Sequence, residues 1–222
     1  MPLPKVHEDH ASIVLLGNFN PAIFQPAWLA AKDLVRESEA RSAVIEVIDP
    51  QIAQYRLDWM HLSVQRDRFA VTTSDPAHRV SLRDLVIGIF GLLEQTPTTR
   101  LGLNRTMHVD MKDSESFHAL GHLLAPKAPW AGILDNPGMR SLLMEAPRSD
   151  GPRGKIYFTV EPSQTYPRSA FFEVNHEYHV EPDSEQDPTA YFMKCISNDW
   201  DRVLDAAIRS IEKLVDQAIG RT

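Results

Sequence analysis

Thr99-Arg100-Leu101-Gly102-Leu103-Asn104-Arg105-Thr106-Met107-His108-Val109-Asp110-Met111 alternates more cleanly than any other stretch of the chain. Leu101, Leu103, Met107, Val109 and Met111 fall on one side of an extended strand, and Arg100, Asn104, Thr106, His108 and Asp110 on the other. Neighbouring side chains of a strand point to opposite faces, so this segment belongs to an antiparallel sheet with one face packed and one face wet or bound. Arg105 breaks the apolar side, and a charge at such a position is expected near a sheet edge.

The segment Ala170–Val180 reads the same way. Phe172, Val174, His176, Tyr178 and Val180 share one side, while Glu173, Asn175, Glu177 and His179 share the other. If both segments lie in one sheet, Asn104, Thr106, His108, Asp110, Glu177 and His179 emerge on a common polar face. These six are the candidate binding residues.

Around them the order of elements runs twice. An apolar strand, Ala11–Gly17, leads into a helix from Pro26; proline suits a first helical turn because that N–H has no partner. Strand-like stretches follow over residues 43–48 and 52–64, with a hairpin tip at Arg66-Asp67 before Phe69, Val71 and Thr73. Ser81-Leu82-Arg83-Asp84 has the form of a capping box and opens an apolar-striped helix that stops at Thr96-Pro97. The second pass starts at Thr98, has a helix capped by Asp113 or Ser114, then strands over 139–146, 155–161 and 170–180. The acidic, proline-bounded stretch 181–188 is a loop, and a helix from Pro188 closes the chain, with a break at Asn198-Asp199. The expected fold is therefore α+β: a large, mainly antiparallel sheet with helices on one face and internal duplication of a strand–helix–strands–helix unit. Residues 1–10 form an N-terminal extension, 11–97 the first repeat and 98–222 the second, the two making one compact unit. This element order resembles the saddle of the TATA-box-binding protein. Leu101-Gly-Leu-Asn-Arg105, Leu124-Ala-Pro-Lys127 and Trp130 are also similar to short strings in an uncharacterised family of bacterial proteins of about this length, a likeness that implies no activity.

Composition narrows the function classes. The 222 residues carry a formal charge of −7, and the lysines and arginines are scattered. That disfavours a duplex nucleic acid binder, whose affinity rests on clustered cations. Mean hydropathy is −0.28, and the longest apolar run, Leu85–Leu93, is too short to span a bilayer. With no signal-peptide core and one cysteine, Cys195, the reading is a cytoplasmic protein of bacterial type without a disulfide framework.

His118-Ala-Leu-Gly-His122 sets two imidazoles four apart on a helix, which is metal-ligand spacing. Ala119 stands where a zincin places glutamate, so flanking histidines on an amphipathic helix are the simpler account. Cys195, beside Phe192 and Ile196, reads as a small core residue, as do Trp59, Trp130 and Trp200. Asn18–Trp28 is expected to fold down as the approach to the first helix. No phosphate loop, nucleophile elbow or dinucleotide fingerprint occurs, and no cofactor is expected. The leading expectation is a non-catalytic protein-interaction subunit of a multi-protein system. The alternatives are an enzyme or small-ligand binder using His108, Asp110, Glu177 and His179, and nucleic-acid binding through the saddle. A wide sheet also leaves edges to cover, which admits a homodimer.

Overall fold

The computed structural model describes residues 4–180 and 185–220. Residues 1–3 of the expected extension and 181–184 of the acidic loop lie outside them. The strands are β1 (Val6–Gly17), β2 (Val44–Ile48), β3 (Ile52–Leu57), β4 (Met60–Gln65), β5 (Arg68–Thr73), β6 (Thr98–Asp110), β7 (Leu142–Pro147), β8 (Gly154–Pro162) and β9 (Ser169–His179). The helices are α1 (Pro26–Ala31), α2 (Glu37–Arg41), α3 (Arg79–Leu92), α4 (Ser114–Leu124) and α5 (Pro188–Ala218).

All strands join one nine-stranded sheet in the order β2-β3-β4-β5-β1-β6-β9-β8-β7, and every adjacent pair is antiparallel. The duplication is legible in this order. Exchanging β1 with β6 carries β5 to β9, β4 to β8 and β3 to β7, leaving β2 as an extra strand of the first half. In chain order α3 closes the first pass as α5 closes the second. The expected α+β class, the large antiparallel sheet and the repeated unit are all present.

Alternation decides which face is packed. Ala11, Ile13 and Leu15 of β1 are buried with Tyr55, Leu62, Phe69, Val71, Leu101 and Leu103, and with Leu82, Val86, Ile89 and Phe90 of α3. The N-terminal half of α5 adds Phe192, Ile196, Trp200, Val203 and Leu204 to that cluster. Its C-terminal half, Ala207, Ile211 and Val215, covers a second cluster of Met107, Val109, Phe172 and Val174. One helix therefore spans both halves. It runs unbroken through Asn198-Asp199, correcting the expected interruption, because Asp199 lies in a helical turn and hydrogen-bonds Arg202 and Tyr178.

Three further expectations change. β1 begins at Val6, so residues 6–10 are strand, not extension; Val6 packs beside Val109, and the ladder continues to it. Helix α3 starts at Arg79, upstream of the Ser81 capping box, because a 3-10 turn capped by Asp75 (Oδ1 accepting from the Ala77 N–H at 2.9 Å) leads straight into it. Arg105 lies in the sheet's middle, 4% exposed, not at an edge. Its guanidinium forks onto Asp9 at 3.0 and 2.7 Å and donates to the Leu204 carbonyl at 2.8 Å, while Arg79 also reaches Asp9 at 2.8 Å. Burial alone would raise the Asp9 carboxyl, but its bonds to Arg105 and the Arg79 charge hold it below the usual carboxylate range. The two central strands and α5 are thus tied by one satisfied ionic group.

Candidate functional site

The six candidates do share the face opposite the helices. On it, β6 and β9 pair Arg100 with His179, Gly102 with Glu177, Asn104 with Asn175, Thr106 with Glu173 and His108 with Phe171. The same register separates them along the strand. His108 lies six residues from Gly102, about 20 Å at strand rise, so His108 and Asp110 do not form one site with Glu177 and His179.

One group forms at the bulged end of the central ladder. A register shift between Val6 and Glu8 makes His7 an extra residue there, and a bulge of this kind re-aims side chains. His7 stacks on Tyr166 at 4.3 Å and stands 3.8 Å from Asp110, whose Oδ1 accepts from the Lys112 N–H. Glu8 accepts from the Tyr166 hydroxyl at 2.6 Å and meets His10 at 3.2 Å and His108 at 3.9 Å. Tyr166 and His10 together hold the Glu8 carboxyl low. His108 also bonds Ser163 at 2.8 Å, and burial holds its imidazole below the ordinary range. Thr106 sits beside this group, between His10 and Glu173 in the ladders. Within the group, hydrogen bonds link Glu8 to Tyr166 and His10, and Ser163 to His108 and the Tyr166 N–H.

The second group lines a shallow depression of about 280 Å³ near the sheet's centre, with Ser12, Val14, Gly102, Asn104, Glu173, Asn175 and Glu177 in its lining and Arg68 and Arg100 among its walls. Gly102 keeps it open, since a Cβ there would meet Asn175 Oδ1 at 3.1 Å. Glu177 is well partnered: Arg100 at 3.4 Å, His179 at 2.5 Å and Tyr157 at 3.5 Å. Asn104 is buried, its amide reaching only the Gly102 carbonyl at 3.4 Å. Two acceptors have no such match. Asn175 Oδ1 is buried without a hydrogen-bond partner. Glu173 makes no hydrogen bond or ion pair with another described residue; burial and the neighbouring Glu161 raise its carboxyl, against a smaller pull from Arg68.

The packed side holds a polar chamber that the alternation pattern placed but did not explain. His176 and Tyr178 face it, as expected from spacing. Arg148, its side chain 0% exposed, lies over the Tyr178 ring at 3.8 Å, a cation–π contact. Tyr178 donates to Asp199 at 2.9 Å, and Arg202 bridges Asp199 and Asp150 at 2.7 Å each. Burial, with the Arg148 charge, lowers the His176 imidazole to about 4. This network pins the loop after β7 to α5.

His118 and His122 are both exposed on α4, beside Lys127 in a hollow of about 240 Å³. Among the described residues no group of three or more His, Cys, Asp or Glu could hold a metal ion. Cys195 is a buried free thiol, pushed up by burial. Trp200 is buried as expected, whereas Trp130, in the 3-10 turn Ala128–Trp130 that buries none of its residues, is 46% exposed. Among the described residues no helix is long and apolar enough to cross a membrane.

Glu8 and His10 escaped sequence reasoning because residues 1–10 read as an extension, and Tyr166 because it lies in the connection between β8 and β9, outside any alternating segment. The alternation of Glu8, His10 and Ser12 continues into Ala11–Gly17 and was the available signal. Glu173 and Asn175 were assigned to the correct face, but their lack of partners exists only once β8 and β9 are paired.

No protein-family model matches the chain, and no curated protein matches it. A solved structure with some likeness is a rolling circle replication initiator protein from Geobacillus stearothermophilus, with 10% sequence identity, a TM-score of 0.30, and 89% of this chain and 79% of that chain covered.

Proposed function

We propose that the protein is a non-catalytic interaction subunit whose open sheet face receives a protein partner, with a lysine or arginine of that partner entering the depression at Glu173 and Asn175. The observation that carries this is the pair of unmatched acceptors in the depression. A buried oxygen without a donor costs about 1–3 kcal/mol, and a desolvated carboxyl beside another carboxyl is destabilised further. A guanidinium or ammonium from outside relieves both at once, with Gly102 providing the clearance.

Charge favours polypeptide over nucleic acid on the same face. Arg56, Arg68, Arg100 and Lys155 are interleaved with Glu8, Glu46, Glu161, Glu173 and Glu177. Phosphate backbones reward clustered cations, whereas mixed charge suits a complementary protein surface. The saddle-like element order therefore supports a docking platform, with nucleic acid as the weaker reading.

The test places a photo-crosslinking residue at Thr72 on this face or at Lys213 on α5, in the native host. A discrete adduct from Thr72 and none from Lys213 is expected. Glu173→Lys should cut the Thr72 adduct by about tenfold or more in a protein whose circular dichroism is unchanged. Equal adducts from both positions, or a Thr72 adduct indifferent to Glu173→Lys, would sink the reading.

A further inference from the structure

The sheet has two edges, and they are built differently. β2 is irregular: its ladder to β3 shifts between Ile45 and Val47. Glu46, at that shift, is held by Arg56 at 2.7 Å, by His61 at 3.4 Å and by Gln54. Bulges and edge charges of this kind obstruct further strand pairing, although Val44 and Ile45 are exposed there. β7 has no such bulge, and its one charge and its proline, Glu145 and Pro147, lie in its last three residues. Its ladder to β8 runs from Leu142 to Pro147 without a shift. Leu143 and Met144 are 61% and 59% exposed. The one ionisable side chain of the strand, Glu145, is neutralised by Lys155 at 3.0 Å. A regular edge with exposed apolar side chains is a template for another strand.

We infer that β7 pairs with β7 of a second copy of this chain, antiparallel across a two-fold axis, and so continues the sheet through a homodimer. Symmetry and charge select this occupant. Pairing of β7 with β2 of another copy would be head-to-tail and would propagate, and the bulge and the Glu46 network stand against it. Pairing of β7 with itself closes at two copies. Opposed residues of an antiparallel pair share a face, so a self-paired strand must be centred on a residue. Centred on Met144, it sets Leu143 against Glu145 of the second copy and Leu142 against Ala146, uses the strand up to the proline and keeps the two carboxylates off direct opposition. Centred on Glu145, it would oppose them. This surface is separate from the open face, and the dimer stands whether or not the depression binds a partner.

The experiment uses the full chain. Sedimentation across the micromolar range should show a monomer–dimer equilibrium, and Met144→Lys should weaken it by about thirtyfold or more. Ile45→Lys, on the opposite edge, should leave it unchanged. In a Cys195→Ser background, Met144→Cys should give a covalent dimer on mild oxidation, because opposed Cα atoms in an antiparallel pair lie at about 4.5–5.5 Å, within disulfide reach. Ile45→Cys should not. A monomer at every concentration, or a dimer insensitive to Met144→Lys in a protein with unchanged circular dichroism, overturns the inference. Loss of the dimer with Ile45→Lys instead would assign it to β2 and overturn it equally.

Discussion

The two halves of the sheet repeat one topology, yet the first is closed and the second stands open. In the first half, Ala53, Tyr55, Leu57, Met60, Leu62 and Val64 of β3 and β4 are all buried. In the second, Val160 alone of β8 and no residue of β7 reaches that state. The cause lies in what each half inserts after its first strand. Asn18–Val35 contributes Phe19, Phe24, Leu29 and Val35 to the first cluster, with Phe24 packed against Phe19, Trp28, Phe69 and Phe90. α4 contributes one buried residue, Leu120. The long α5 widens the difference by giving its N-terminal half to the first cluster as well. Equivalent strand order therefore does not confer equivalent closure; the cover depends on the volume of apolar side chain that the connections deliver.

The strongest way to break this contrast is to open the closed half. Phe24→Ala should cost about 3–5 kcal/mol, the range for an aromatic removed from a packed core, read as a fall in the urea midpoint. A loss below about 1 kcal/mol would mean the aromatic plug is not what seals β3 and β4.

The next effect belongs to the polar chamber of the second half. With His176 held at about 4 when folded, the unfolded chain takes up the proton first as pH falls from about 6.5. Stability attributable to neutral His176 is full above that value and is lost between about 6.5 and about 4, to a total of about 3 kcal/mol. His176→Leu should flatten this part of the pH–stability curve. An unchanged slope in the variant would show that other groups set it.

The smallest effect is expected where the second half is open. Ile133 is 68% exposed, and Ile133→Ser should change stability by less than about 0.5 kcal/mol. A larger loss would mean that this segment is packed against something, and that the half is less open than its exposed side chains imply.

Much of this architecture could be read beforehand because it rests on local regularities. The alternation in 99–111 and 170–180 fixed which side chains leave the packed face, and His176 with Tyr178 fell on the correct side. The aromatic approach at 18–28 folded down as its composition suggested. Arg105 was misplaced for a physical reason: a charge in an apolar row is tolerated in mid-sheet only if something neutralises it, and its partner, Asp9, lies 96 residues away. Trp130 was misjudged because bulk implies burial only where a surface exists to pack against. The candidate residues were assigned to a face but not to a site, since strand register, not periodicity, sets which of them meet.

By itself the sequence determined the α+β class, the repeated unit and the two-faced sheet, because these follow from side-chain periods of two and of three to four. Only the tertiary structure decided that Glu173 and Asn175 lack partners, that His108 and Glu177 stand apart, and that one half is sealed and the other is not. Those are relations between segments distant in the chain, and no local pattern encodes the distance between them.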